Sequence, residues 1–560
     1  MNLTFNNNCN DELFNSFSTC SEGSIYDCQN YIPLYQSVYN NEETHLNDSH
    51  HLNTSTQIKC LHENISYNIY NCELLDNDNN VKKDEIFFKF CPIIDPIKYM
   101  LGKYETDSTE LPSIKNNANT LEKINRIHNS AYIDSFFSYL SCNLNHNSSF
   151  MHGVEFYGAF LGKKTSFKFD VSDELDYLLD SKYFLDNLNS KFTLENVDIS
   201  DILNDKKKPP LQIESSEVVL ELSDTNEIET LDKLFTTSSK EENNTTLEEY
   251  TIKTKSLSNV STSSKSTCSS RSSNTDNSES EEEEEEDNDT SIHDSDDESS
   301  YGSLESDEET NVIIDEMPVN IIALEKCNNT LDYLLVNDEI TYEQLESLLF
   351  QIIMTLLTYQ KLFHFTHNDL HTNNIMYVNT NRVYLYYCYN SKYYRVPTFG
   401  KIFKIIDFGR AIYKYNNITY CSDSFAKDGD ASTQYNMEPF LNENKPRLEP
   451  NFSFDLSRLA SAMFDFIVED NFESMEALKA IPVYEAIIDW CTDDKGRNIL
   501  YKKNGEERYP EFKLYKMITR TVHNHTPENQ LERECFSKFK IPKKKSQKKP
   551  IMNIDELIRP

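Results

Sequence analysis

The hydrophobic pattern of this chain starts late. Residues 1–80 are polar and Asn-rich and fall into no clear organisation, with only a weak strand-like alternation near Gln57–Leu75. At Glu85 the texture changes: Ile86-Phe87-Phe88-Lys89-Phe90 predicts an aromatic strand with one lysine inside it. Residues 120–141 set Leu121, Ile124, Ile127, Tyr132, Phe136 and Leu140 roughly on one helical face, and Met151–Leu161 is strand-like again. The pattern fades from Asn196 and returns at Val312. Val319–Leu324 predicts a short buried strand, followed by Glu325-Lys326-Cys327. Thr341-Tyr342-Glu343-Gln344 has the form of a capping box, and the helix it opens runs to about Phe363. Leu345, Leu348, Leu349, Ile352, Ile353, Leu356 and Leu357 give that helix the wide apolar stripe of a buried element. Strands are predicted at 374–378, 383–389 and 401–406, then mostly helix from Phe454 to a lysine-rich end.

Composition refines this picture at two places. The formal net charge of −39 is concentrated: residues 267–310 hold 18 Asp or Glu against one Arg, which leaves −22 on the rest of the chain. From Lys253 to Thr310 the sequence is Ser/Thr-rich and then acidic, including Glu281–Glu286, and is expected to be a disordered insertion. An overall charge of this sign gives no strong case for nucleic-acid binding. The 13 cysteines are scattered singly, with no Cys-x-x-Cys pair and no Cys/His cluster at zinc-ligand spacing, and read as core residues of a reducing compartment. Sequons such as those at Asn64 and Asn147 are expected by chance in so Asn-rich a chain. With no secretory start and no apolar run of the ~20 residues a membrane span requires, a soluble intracellular protein without a membrane partner is expected.

The candidate chemistry lies just past the capped helix. His367-Asn368-Asp369-Leu370-His371-Thr372-Asn373-Asn374 is followed by Asp407, which ends the apolar run Lys401-Ile402-Phe403-Lys404-Ile405-Ile406 and opens Asp407-Phe408-Gly409. One carboxylate can accept a proton from an attacking hydroxyl. An amide oxygen and a second carboxylate can share a divalent metal that neutralises phosphate charge. In this order and spacing the set resembles the catalytic loop and metal motif of the protein-kinase superfamily. The resemblance covers about 312–536 and, less fully, 84–162.

It implies ATP and Mg2+ as cofactors, Asp369 as base, and Asn374 and Asp407 as metal ligands. Glu325-Lys326-Cys327 looks like the hinge that meets adenine through backbone groups at Glu325 and Cys327. Glu438-Pro439 partly matches the close of the activation segment, and Asp455 is similar to the buried aspartate that braces the catalytic loop. Lys89 resembles the phosphate-aligning lysine, since a lysine inside an apolar strand is costly without an anionic partner; a lysine snorkelling from an edge strand is the alternative. Its acidic partner would be Asp134, with Glu122 as the competitor.

Three departures qualify the resemblance. No Gly-x-Gly-x-x-Gly exists, and the sole glycine before Lys89 is Gly23. Asn368 stands where the family has Arg before the catalytic Asp. His371 replaces the usual Lys of Ser/Thr kinases and is similar to haspin-like kinases and the aminoglycoside/choline phosphotransferases. The strings His367–Met376 and Lys404–Ala411, with an Asn-, Ile- and Tyr-rich composition, look like kinase-like proteins of giant (mimivirus-like) DNA viruses.

The expected fold is therefore α+β, a bilobal protein-kinase-like fold with a long acidic insertion in its N-terminal lobe. Its expected parts are an unassigned segment 1–56, a first lobe 57–165 completed by 312–326, an insertion 166–311 that is partly helical and then disordered, Ser-rich and acidic, a second lobe 327–536 and a Lys-rich tail 537–560. The expected function is ATP- and Mg-dependent phosphorylation of Ser/Thr in a protein substrate. The alternatives are a pseudokinase scaffold and a small-molecule phosphotransferase. If the source is viral, the host cytoplasm or the virion is the expected location, with the nucleus left open. Lys538, Lys540, Lys543, Lys544, Lys545, Lys548 and Lys549 read first as a solvated tail. That tail and the acidic insertion, whose Ser/Thr residues beside Asp/Glu suit acidophilic kinases, are the candidate docking segments.

Overall fold

Seven antiparallel strands form the main sheet, and burial explains which of them reads as continuously apolar. The computed structural model describes residues 3–7, 10–20, 25–39, 46–104, 109–114, 120–195, 310–337, 340–469, 475–546 and 548–560. The strands are β1 (Ile25–Gln29), β2 (Thr56–Ser66), β3 (Ile69–Asp76), β4 (Val81–Pro92), β5 (Phe156–Asp170), β6 (Phe192–Glu195) and β7 (Asn311–Glu325). Their spatial order is β1-β5-β7-β4-β3-β2, with β6 paired to the first residues of β7. β7 thus has β5 along one edge and β6, then β4, along the other. Its Val319–Ala323 stretch is buried throughout, as expected of a strand covered on both faces.

Two elements bring the sheet and the helices together. Helix α2 (Ser130–Asn147) packs against β5 and β7, where Asn320 Nδ2 donates to the Ala131 carbonyl at 2.7 Å. Helix α3 (Tyr342–Phe363) is buried over nearly its whole length. Its capping box is complete, with Gln344 N donating to Thr341 Oγ1 at 3.3 Å and Thr341 N to Gln344 Oε1 at 2.9 Å. His364, at φ 49°, ends α3 and turns the chain into the next loop. Strands β8 (Ile375–Asn379) and β9 (Lys401–Ile405) then pair antiparallel, and helices α4 (Phe454–Glu469) and α5 (Phe512–Thr521) follow. The protein is thus of mixed α/β class, and its described residues fall in one contact unit, Met1–Asn196 with Ser266–Pro560. No helix among the described residues is long and apolar enough to cross a membrane.

Several expectations need revision. The N-terminal segment is not featureless: helix α1 (Asp11–Cys20) lies on β2, with Phe17 buried and its ring centroid 5.4 Å from that of Phe88. The helix expected over 120–141 is broken into Glu122–Asn125 and α2, because Asn129 caps α2 by accepting from Ala131 N. The strand expected from Met151 begins only at Phe156. Gly153 lies against the Ser141 carbonyl, where a Cβ would come within 2.4 Å.

Residues 166–195 are not insertion. β5 continues to Asp170, two short helices follow at Leu175–Leu179 and Lys182–Asn187, and β6 closes onto β7. Glu195 pairs with Asn311 across the gap. The acidic stretch 253–309 lies outside the described residues. The tail also departs from the solvated reading: Lys540 and Ile541 pair with Tyr394 and Tyr393, and Phe539, Met552 and Ile554 are buried.

Candidate active site

Residues 367–374 are shaped by a single buried carboxylate. Asp455, near the start of α4, accepts from His367 N (2.9 and 3.1 Å) and Asn368 N (3.0 Å). It is fully buried, and burial raises its pKa against the opposing hydrogen bonds. Asn368 adopts φ 65°, where its side chain is enclosed: Nδ2 donates to the Arg410 carbonyl at 2.8 Å and Oδ1 accepts from Tyr435 Oη at 2.7 Å. His367 Nε2 donates to the Ile406 carbonyl at 2.9 Å. The turn thereby presents Asp369 beside two guanidiniums and a phenol. Tyr515 Oη donates to Asp369 Oδ1 at 2.8 Å, Arg410 Nη1 lies 3.7 Å from Oδ2, and Arg458 Nε donates to Tyr515 Oη at 2.9 Å. Burial disfavours the Asp369 anion, but Arg410, then Arg458 and His371, outweigh it and hold the carboxyl at about 2.

Strand register brings Asn374 and Asp407 side by side. Ile375 of β8 pairs with Ile405 of β9, and Ile406 N donates to the Asn374 carbonyl at 3.0 Å, so Asn374 stands just before β8 and Asp407 just past the end of β9. Asn374 Nδ2 donates to the Asp369 carbonyl (2.9 Å) and to His371 Nε2 (3.1 Å). Among the described residues nothing hydrogen-bonds to Asn374 Oδ1 or Asp407 Oδ2, leaving two hard oxygens of the kind that suit a small divalent cation. Asp407, at φ 63°, keeps 27% of its side chain exposed. Burial opposes its charge and Lys89 more than restores it, so its pKa is lowered. Burial likewise lowers the His371 pKa, against the pull of Asp369.

The lysine of β4 connects the parts. Lys89, 7% exposed, places Nζ 2.7 Å from Asp134 Oδ2 and 2.8 Å from Asp407 Oδ1. Asp134 Oδ1 in turn accepts from Phe408 N at 2.9 Å. Glu122 is elsewhere, paired with Arg126 on the surface, so the structure brings Asp134 and not Glu122 to Lys89. Phe408 is buried against Phe137, with ring centroids 4.7 Å apart, and against His367 at 5.6 Å.

Glu325 is the last residue of β7, and Cys327 lies two residues beyond it. Glu325 N donates to the Glu155 carbonyl at 2.9 Å, and its carboxylate is taken by Lys404, which also donates to the Gly153 carbonyl. Cys327 N–H makes no hydrogen bond to a described residue, and burial pushes its thiol up to about 12. Glu438 is exposed and held by Arg447 at 2.9 Å.

Some of the site was not read from sequence. Arg410, Arg458 and Tyr515 surround Asp369 from three separate elements, and only the position of Arg410, directly after Gly409, offered a local signal. The β2–β3 hairpin turns at Tyr67–Asn68, and its Asn68 carbonyl accepts from Phe88 N at 2.8 Å, next to Lys89. The Tyr-Asn turn between two alternating segments, with Asn68 at φ 57°, was the available sign of it. No protein-family model matches the chain, and no curated protein matches it significantly.

Proposed function

We propose that the chain is an ATP- and Mg-dependent phosphotransferase with a bilobal protein-kinase-like fold, acting on Ser/Thr hydroxyls of proteins. The observation that carries this reading is the buried Lys89 ammonium lying between Asp134 and Asp407, beside the Asn374–Asp407 pair. Bound Mg-ATP supplies the phosphoryl group; Asn374 Oδ1 and Asp407 would hold the metal, and Lys89 would align the phosphates. The Cys327 N–H and the backbone at Glu325 would meet the adenine. The hydroxyl oxygen bonds to the γ-phosphorus as the bond to ADP breaks. With a pKa of about 2, Asp369 is a weak base. Its work is to accept the hydroxyl's hydrogen bond and aim the oxygen, with the proton leaving late.

A second reading, a scaffold that binds without turnover, is favoured by the β2–β3 hairpin that meets β4 at Phe88, next to Lys89. Where the family places glycines, this chain has Tyr67 and Asn68, with Ile65 and Tyr67 exposed. Radiolabel transfer from ATP to a protein mixture and to small alcohols separates the readings. Label in protein, lost in Asp369→Asn, is the expected result. Label only in alcohols means a small-molecule phosphotransferase, and none in either means a scaffold. For the metal assignment, Asp407→Ala should abolish the melting shift caused by Mg-ATP while the protein stays folded. An unchanged shift would remove Asp407 from the site.

A further inference from the structure

Cysteine, histidine and glutamate side chains converge at the C-terminal end of α2. Cys142 and His146 are four apart and so share a helix face, and the loop returns Glu155 to them. One ligand atom from each lies within 4.8 Å of the other two. Glu155 Oε2 is the meeting point, 2.8 Å from His146 Nε2 and 3.5 Å from Cys142 Sγ. Bond lengths of about 2.3 Å to sulfur and about 2.0 Å to oxygen at a tetrahedral angle put those two ligand atoms about 3.5 Å apart. The Sγ–Oε2 spacing already matches; His146 must withdraw by about half an ångström.

Burial, then the Glu155 carboxylate, push the Cys142 thiol up, so a metal would have to displace its proton; one contact favours the thiolate. Phe156 N–H donates to Cys142 Sγ at 3.2 Å, a contact that stabilises negative charge on sulfur. Asn145 Nδ2 donates to Glu155 Oε1 at 3.1 Å and to the Gly153 carbonyl at 2.8 Å, fixing both the carboxylate and the loop that carries it. Ser55 Oγ lies 3.3 Å from His146 Nε2 on the open side.

We propose that Cys142, His146 and Glu155 bind one zinc ion, with water in the fourth position. On binding, the thiol proton goes to solvent, and the proton that His146 Nε2 donates to Glu155 also leaves, with the imidazole held as its Nδ1–H tautomer. The ion would clamp the end of α2 to the strand β5, whose neighbour Glu155 also accepts from Glu325 N. The other such cluster among the described residues, Cys60, His62 and Glu73, is a weaker candidate because Lys59 holds Glu73 at 3.1 Å. The inference does not depend on phosphotransfer.

The test is to titrate the full-length protein with Co2+ and follow the sulfur-to-cobalt charge-transfer band, then measure melting with Zn2+. One equivalent should produce the band, and zinc should raise the melting temperature by several degrees. Cys142→Ser and His146→Ala should abolish both effects, while Cys60→Ser should keep them. His146 is exposed, so His146→Ala keeps the test decisive if Cys142→Ser fails to fold. Absence of the band, or its survival in His146→Ala, overturns the proposal.

Discussion

Burial alone would drive Asp369 toward its protonated form; Arg410 and Arg458 reverse that, and Tyr515 adds a hydrogen bond. The sign for pH follows directly. With its folded pKa below the ordinary carboxylate value, the stability Asp369 contributes is fully present above about pH 4 and is lost as the pH falls through about 2. Any acid limb in a pH–rate profile between 5 and 7 should therefore belong to another group. Tyr515→Phe removes one charge-assisted bond and should lower kcat roughly ten-fold, about 1.5 kcal/mol, with KM for ATP unchanged. A rise in KM with unaltered kcat would mean that Tyr515 shapes nucleotide binding instead. The contrast with sequence is instructive at this scale. Asp369 and Asn374 are local in the chain, so their spacing was legible. Tyr515 lies 146 residues away and reaches Asp369 only through the packing of α5, which no local pattern encodes.

The segment after Asp407 is fastened to the start of α2 by carboxylates. Asp423 Oδ1 accepts from Ser130 N at 3.0 Å, its Oδ2 pairs with Lys123 at 3.0 Å, and its N–H donates to the His128 carbonyl at 2.8 Å. Asp428 pairs with Arg126 at 3.3 Å, and Asp430 pairs with Arg410. Asp134 lies one turn into α2, so order in this segment bears on the acid that meets Lys89. If the chain is the phosphotransferase proposed above, these fixed anions would do the work of a phosphorylated loop residue, and the neutral Asn368 would offer such a residue no cation. Activity should be the same before and after phosphatase treatment. Asp430→Asn should cost roughly five- to ten-fold in kcat, with Asp430→Glu recovering most of it. A loss on dephosphorylation that re-phosphorylation restores would contradict this. Element types were readable wherever burial is one-sided or complete, as in α3 and β7. The break before α2 was missed although Asn129 offered a local N-cap signal, and its Nδ2 bond to the Ile93 carbonyl adds a long-range contact that sequence does not show.

Across the whole molecule, the described fold closes over a gap of more than a hundred residues. Glu195 and Asn311 are paired neighbours, so the chain leaves and re-enters the sheet at one point. The pattern fades at Asn196, just past the end of β6, but the expected insertion was begun thirty residues early, at 166, because β6 is short and shows its pairing only against β7. Deleting 253–309 halves the connection and should raise stability by about 0.6 kcal/mol; replacing 197–309 with a four-residue turn should raise it by about 2–3 kcal/mol. Melting and ATP binding measured together check this. A melting temperature lower by many degrees, or lost binding, would mean that these residues hold the fold together. Two strand ends about 5 Å apart also make a natural port for cargo. A reporter whose own termini lie close together, such as a fluorescent barrel, could be grafted there without redirecting a single strand, turning the molecule into its own sensor.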